Sequence, residues 1–166
     1  LSARIVVTRS AQVQALCKAQ GVPVLLHALP GRNDTVRLGL SALLAQHPEL
    51  TGCMFLPGDQ PLLCRATVDQ LLTAFAQTQK ETERVIFRLG APAGNGPDPL
   101  VGSPVLFSNG FFPELLTLPE GKGGSVLLHK YPTLVHTACI AQPEELADTD
   151  TPAALAQLEA LVREKG

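Results

Sequence analysis

Asp59 is the residue of this sequence best placed to carry out chemistry. It follows the short apolar run of residues 53–56, which predicts a central strand buried on both faces, and the break at Pro57 and Gly58. In an open α/β sheet, ligands bind beyond the carboxyl ends of strands. A carboxylate there suits Mg²⁺, which takes oxygen ligands and shares them with substrate phosphates. A purely local role, in which Asp59 caps a turn, explains the same pattern.

A second polar stretch, residues 31–37, precedes a predicted helix that begins near Thr35. Its candidate binding side chains are Asn33, Asp34, Thr35 and Arg37. Amide, hydroxyl and guanidinium groups at the amino end of a helix suit an anion or the polar edge of a base. The alternative is structural: Asp34 or Thr35 caps the helix and the arginines are solvated.

Two glycine-containing stretches offer weaker signals. Gly102 predicts either a hinge before a strand or the plain start of that strand. Lys122 lies in a run of glycines, residues 121–124, where flexible amides and an ammonium group could hold phosphate. That run lacks the spacing of a Walker-type phosphate loop, and many surface turns have the same composition.

Acidic residues 148 and 150 precede the last predicted helix. Asp150 or Thr151 would serve as the N-cap of that helix, with Pro152 in the first helical position. Asp148 is therefore the better candidate for a second metal ligand beside Asp59. The four histidines, which are His27, His47, His129 and His136, show no paired spacing and are interpreted as structural or surface residues.

Composition restricts the class of protein. The 166 residues suit a single domain, and 45% apolar with 17% charged residues excludes a disordered chain. A net charge of −2 without basic runs argues against nucleic acid or a membrane surface as partner. The four cysteines have no CxxC spacing, which predicts reduced, mainly buried thiols and a cytoplasmic protein.

Strand and helix patterns alternate along the chain. Strands are predicted at residues 4–8, 22–26, 53–56, 85–89, 103–107 and 134–140, with an exposed excursion at 90–102. Helices are predicted after Ser10, from Thr35, from the capping-box spacing at Thr67, at 111–118, through His129 and after Thr151. Ser10 is expected to cap the first of them, with Val13, Leu16 and Cys17 on one apolar face. This order predicts a three-layer α/β fold with a mostly parallel sheet.

Five motifs, taken together, resemble those of the MobA-like nucleotidyltransferases, and most closely the molybdenum cofactor cytidylyltransferase branch. They are TVRLGL at 35–40, LPGDQP at 56–61, GSPVLF at 102–107, GKGG at 121–124 and DTDTP at 148–152. The resemblance implies a Rossmann-like nucleotidyltransferase fold. It also implies an enzyme that transfers CMP from CTP to molybdopterin and releases pyrophosphate.

The resemblance also implies roles for individual residues. Asp59 would be the catalytic Mg²⁺ ligand, with Asp148 as a second ligand. The nucleotide would be held by Asn33, Asp34, Thr35, Arg37, Pro57 and Gly58, and the phosphate or acceptor side by Gly102 and Lys122. A molybdoenzyme or its chaperone is an expected partner.

One family feature is missing from the sequence. The family's first strand and glycine-rich loop, of the type LAAGxSxRMGxxK, have no counterpart before Arg4. Truncation, unrecorded residues and loss of nucleotide chemistry are the alternatives, and the backbone groups that an absent strand would leave unpaired favour a missing segment. A guanylyltransferase, a sugar-nucleotide transferase and a non-catalytic cofactor carrier remain alternative functions.

Overall fold

Strands and helices alternate through the part of the chain that the computed structural model describes, residues 1–92 and 100–165. The strands are β1 Val6–Thr8, β2 Val24–Leu26, β3 Gly52–Phe55, β4 Ile86–Ala91, β5 Leu100–Ser108 and β6 Val135–Cys139. The helices are α1 Ala11–Ala19, α2 Arg32–Gln46, α3 Arg65–Thr78, α4 Phe112–Leu116, α5 Ser125–Lys130 and α6 Pro152–Lys165. Short 3-10 helices lie at Asn109–Phe111, Pro132–Leu134 and Pro143–Leu146.

The described strands form two sheets. β1 and β2 pair in parallel, with Val6 opposite Val24. The other sheet has the order β3, β5, β4, β6, and its β4 and β6 are parallel, with Ile86 opposite Val135. The expected α/β fold with mostly parallel pairing is confirmed.

The chain divides into two compact units: a first unit of Leu1–Cys53 and Phe107–Leu134, and a second unit of Met54–Leu106 and Val135–Gly166. The single-domain organisation stays a prediction.

The strand before Asp59 differs from its prediction. β3 lies at one edge of the four-stranded sheet as described, so it is not central. Cys53 is its buried residue, whereas Leu56, beyond the strand end, is 49% exposed. Burial raises the pKa of the Cys53 thiol to about 11 because an apolar environment disfavours the thiolate.

The strand that is buried on both faces is β4. Ile86, Phe87, Leu89 and Ala91 are all buried, which is the pattern of an inner strand covered on each side. In the second unit, Leu71 and Phe75 of α3 belong to the same core cluster as Phe87 and Leu89. The first unit has an aromatic core of its own, in which the Phe107 and Phe111 ring centroids are 6.0 Å apart.

Three further expectations meet different outcomes. The Ser10 cap is confirmed, since the Ser10 hydroxyl accepts from the Val13 N–H at 3.3 Å. The apolar face of α1 is not covered among the described residues, because Val13 and Leu16 are 39% and 63% exposed. All four cysteines are free, but Cys64 and Cys139 are exposed, so the expectation of mainly buried thiols was wrong.

Some expectations concern residues at or beyond the limits of the described part of the chain. β4 runs to Ala91 and β5 begins at Leu100, so strands occupy part of the expected excursion, and residues 93–99 lie outside the described residues. Sequence periodicity also places Leu161 and Val162 on the apolar face of α6, and their side chains are outside the described part. Within the described residues, no helix has the length and apolar character needed to cross a membrane.

Candidate functional site

In the second unit, the loop after β3 presents Asp59 at a turn. The Thr149 N–H donates to the Asp59 main-chain carbonyl at 3.0 Å, and the Thr149 hydroxyl donates to the same oxygen at 3.2 Å. Both bonds use the backbone of Asp59. Its partly exposed carboxylate makes no hydrogen bond or ion pair with the described residues, and it is therefore available to a ligand.

The same loop is held at further points by the segment that precedes Thr149. The Gln60 side-chain amine donates to the Leu146 carbonyl at 3.3 Å. The carboxylate of Glu145, a residue only 5% exposed, accepts from the Cys64 N–H at 3.0 Å. We call residues 143–149 the strap, because its bonds fix the loop from Asp59 to Cys64.

The bond from Cys64 corrects a helix start. α3 begins at Arg65 with Cys64 as its N-cap residue, and Thr67 is a buried residue inside the first turn. The capping box expected from Thr67 is therefore wrong. The orphan N–H at this helix end is satisfied by Glu145, 81 positions away in sequence.

Asp148 lies in the strap next to Thr149. Its side chain is exposed and makes no hydrogen bond or ion pair with the described residues. The Ala154 N–H donates to the Thr151 hydroxyl at 3.1 Å, so Thr151 caps α6 as one of the two alternatives expected.

In the first unit, α2 begins earlier than expected. Its first residue is Arg32 and its N-cap is Gly31, so Asp34 is not the N-cap. The Asp34 carboxylate instead reaches back to accept from the Gly31 N–H at 3.3 Å and pairs with the Arg37 guanidinium at 3.0 Å. This return contact is the second half of a capping box.

Thr35 contacts a histidine that ends the neighbouring strand. The Thr35 hydroxyl and His27 Nε2 are 3.3 Å apart, and the His27 N–H donates to the Thr8 carbonyl at 3.1 Å. His27 Nδ1 is buried without a partner among the described residues. His27 therefore supports the start of α2 from the carboxyl end of β2.

Asn33 joins two of the predicted binding stretches. The Gly121 N–H donates to Asn33 Oδ1 at 2.9 Å, across 88 positions of sequence. Gly121 has a φ of 71°, which favours glycine. The contact brings the turn that carries Lys122, whose side chain is exposed, to the amino end of α2.

Comparison with known proteins then assigns the family. A family model described as the MobA-like NTP transferase domain matches residues 1–157. The chain belongs to the MobA-like NTP transferase family. No curated protein sequence matches it significantly.

Solved structures share the fold of this MobA-like chain at low identity. Rv0371c from Mycobacterium tuberculosis H37Rv is 24% identical, with a TM-score of 0.72, over 93% of this chain and 73% of that chain. The Rv0371c complex with manganese has a TM-score of 0.69 at 24% identity, over 93% of this chain and 74% of that one. A 4-diphosphocytidyl-2C-methyl-D-erythritol synthase from Anaerococcus prevotii DSM 20548 has a TM-score of 0.72 at 10% identity, over 98% and 79% of the two chains.

The MobA-like chain offers a divalent cation two unengaged carboxylates in one unit. No group of three or more histidine, cysteine, aspartate or glutamate residues that could hold a metal occurs among the described residues. Asp59 and Asp148 are the carboxylates that the strap and the loop after β3 leave unengaged, and a cation held by only one or two carboxylates would fill its remaining positions with water and substrate phosphate oxygens. Mg²⁺ binds in this way.

The remaining predicted residues of the MobA-like chain are placed as follows. Pro57 and Gly58 are exposed, and a Cβ added at Gly58 would meet no atom within 4 Å. Gly102 lies inside β5, so a hinge before the strand is wrong, and a Cβ there would lie 3.4 Å from the Leu146 side chain. That distance is an ordinary van der Waals contact, so the space beside the strap would admit a Cβ at this position.

Sequence reasoning missed the supporting residues of the second unit, which are Gln60, Glu145 and Thr149. In the first unit, His27 has one of the roles expected for it, a structural one. Gln60 had a local signal, because it follows Asp59 within the same motif. Glu145 and Thr149 had none, since their partners lie 81 and 90 positions away.

Proposed function

We propose that this protein is a Mg²⁺-dependent cytidylyltransferase that moves CMP from CTP to the phosphate of molybdopterin and releases pyrophosphate. The family supports nucleotidyl transfer, and the motif set supports the molybdenum cofactor branch. The observation that carries the proposal is the pair of bonds from Thr149 to the Asp59 carbonyl. They bring two motifs of the resemblance together and leave the carboxylate available.

Asp59 and Asp148 are proposed to hold the divalent cation. A cation bound there would supply charge neutralisation at the phosphates of the nucleotide. The Rv0371c complex with manganese supports a divalent ion at a MobA-like fold of this kind. The strap holds the main chain of Asp59 through the bonds from Thr149 and leaves its side chain free to turn toward a cation.

The first unit is proposed to receive the nucleotide. The amino end of α2 carries first-turn N–H groups that no carbonyl of the helix accepts, and the groups of Asn33, Asp34, Thr35 and Arg37 shape that end. Lys122 contributes an ammonium group on the phosphate or acceptor side. Pro57 and Gly58 are proposed as nucleotide contacts of the second unit, since the open space at Gly58 permits close approach of a ligand.

The reaction needs no nucleophile from the protein. An oxygen of the acceptor phosphate attacks the α-phosphorus of CTP, the bond to the β-phosphate oxygen breaks, and pyrophosphate leaves with that electron pair. Catalysis then depends on positioning and on charge stabilisation.

Pyrophosphate release by the full-length protein tests the proposal. Molybdopterin is supplied as acceptor with CTP or GTP, with and without Mg²⁺. Turnover that requires CTP, acceptor and Mg²⁺ supports it. Preference for GTP would indicate a guanylyltransferase, and molybdopterin binding without any nucleotide binding would indicate a carrier that passes the cofactor to a molybdoenzyme.

A sugar-type phosphate acceptor is the second candidate. It is favoured by the likeness to a 4-diphosphocytidyl-2C-methyl-D-erythritol synthase, whose fold this chain shares. The same assay with a polyol phosphate in place of molybdopterin separates the two acceptors. A cytoplasmic location and one MobA-like domain remain predictions of either candidate.

A further inference from the structure

Asn33 uses its side-chain carbonyl within the protein. Oδ1 accepts the Gly121 N–H at 2.9 Å, which is the normal length of an amide hydrogen bond. Asn33 is partly buried, and it lies in the first turn of α2. Its side-chain amine makes no hydrogen bond with the described residues. The oxygen of the Asn33 side-chain amide is therefore bonded within the protein, whereas its nitrogen has no partner among the described residues.

Two glycines make this contact possible. A Cβ added at Gly31 would collide with Asn33 Oδ1, so glycine at the N-cap leaves the room that the amide occupies. Gly121 has a left-handed φ of 71°, while a Cβ there would meet nothing within 4 Å. Glycine is therefore required at 121 by backbone conformation and at 31 by space.

We propose that Asn33 is a positioning residue whose carbonyl ties the turn of residues 119–124 to the amino end of α2. The inference rests on the proposed function for its consequence, which is that Lys122 is held in register with the nucleotide loop before any ligand binds. It assigns the carbonyl of Asn33, rather than its amine, as the group that matters. A residue that read the base would need the amine as well.

The substitutions Asn33→Ala and Asn33→Asp separate these roles. Alanine removes both groups, whereas aspartate keeps an acceptor oxygen and loses the amine. Gly31→Ala keeps Asn33 but crowds its oxygen. Gln46→Ala is the matched control, because it removes an exposed amide from the last turn of the same helix.

Hydrogen exchange of the ligand-free, full-length protein is the first measurement. Loss of one hydrogen bond should raise exchange at the Gly121 amide by about fivefold to tenfold in Asn33→Ala and Gly31→Ala. Asn33→Asp and Gln46→Ala should resemble wild type. Unchanged exchange in Asn33→Ala would overturn the inference, whatever the activity of the protein.

Turnover with Mg²⁺ and CTP is the second measurement. Asn33→Ala should raise the KM of the acceptor by about tenfold, whereas Gln46→Ala should leave it unchanged. Equal KM values for the acceptor in these two variants would overturn the inference. A wild-type protein without turnover refutes the proposed function instead, and the exchange data alone then decide whether Asn33 holds the turn.

Discussion

The two units hold their polar loops in opposite ways. In the second unit, the strap bonds the backbone of Asp59 and leaves its carboxylate unengaged. In the first unit, the side chains themselves are used: Asn33 bonds Gly121, Asp34 bonds Gly31 and Arg37, and Thr35 contacts His27. The loop of the second unit leaves the Asp59 carboxylate free, whereas the polar side chains of the first unit's loop make bonds that stabilise the loop itself.

This difference assigns different roles to residues that look alike in sequence. Asp59 and Asp34 are both aspartates in turn-rich stretches, yet only Asp59 keeps its oxygens for a ligand. We expect substitutions in the second unit's loop to affect chemistry with little loss of stability. Substitutions in the first unit's loop should affect geometry, and through it ligand affinity.

The largest effect is expected for Asp59→Asn. Pyrophosphate release should fall on the order of 10³-fold, about 4 kcal/mol, because the amide cannot replace a negatively charged metal ligand. Thermal unfolding should be unchanged, since the Thr149 bonds use the backbone. Asp69→Asn, at an exposed carboxylate of α3, is the control and should retain activity. If Asp59→Asn and Asp69→Asn were equally active, the loop of the second unit would not be distinguished by a chemical role.

Metal affinity gives the next effect. Titration of the full-length protein with Mn²⁺, followed by electron paramagnetic resonance, should show metal binding. Asp59→Asn should weaken that binding by about 100-fold, because substitutions of residues that only support a metal ligand already lower the affinity by roughly 10- to 100-fold. Asp148→Asn should weaken it as well, and Asn33→Ala should not. Loss of Mn²⁺ binding in Asn33→Ala would place the metal in the first unit's loop.

Glu145→Ala should lower the free energy of unfolding by about 1–3 kcal/mol. Its carboxylate is buried and is the acceptor for the Cys64 N–H at the start of α3. Glu145→Gln should lose less, because an amide oxygen still accepts. Chemical denaturation measures both. An alanine variant as stable as wild type would show that the strap does not hold the loop.

The smallest effect compares two glycines of the same turn. Gly121→Ala should destabilise the protein by roughly 1 kcal/mol, because a left-handed φ is unfavourable for alanine. Gly123→Ala should be close to neutral, since its added Cβ meets nothing within 4 Å and its φ is not left-handed. Denaturation midpoints decide, and equal losses would mean that conformation is not what selects glycine at 121.

Local signals in the sequence predicted local structure well. The Ser10 and Thr151 caps were predicted because a cap acts on an amide three positions away. Asp34 and Thr67 were wrong as helix starts. The N-cap of α2 is Gly31, which has no capping side chain to signal it, and the N–H of the α3 N-cap is satisfied by Glu145 of the strap, 81 positions away.

Burial was harder to predict than element type. The run at 53–56 is entirely apolar and the run at 85–89 contains Arg88, yet it is β4 that is buried on both faces, while β3 lies at a described sheet edge. An apolar run indicates that a strand can be buried. It does not indicate which strands and helices will pack over it.

The sequence by itself determined the order of strands and helices, the family motifs and Asp59 as the leading candidate, because these depend on periodicity and on residue types close together in the chain. Only the tertiary structure decided which polar groups are already engaged. Thr149 meets Asp59 and Asn33 meets Gly121 across 90 and 88 positions. Contacts at such separation follow from how the chain folds back on itself, which no local pattern encodes.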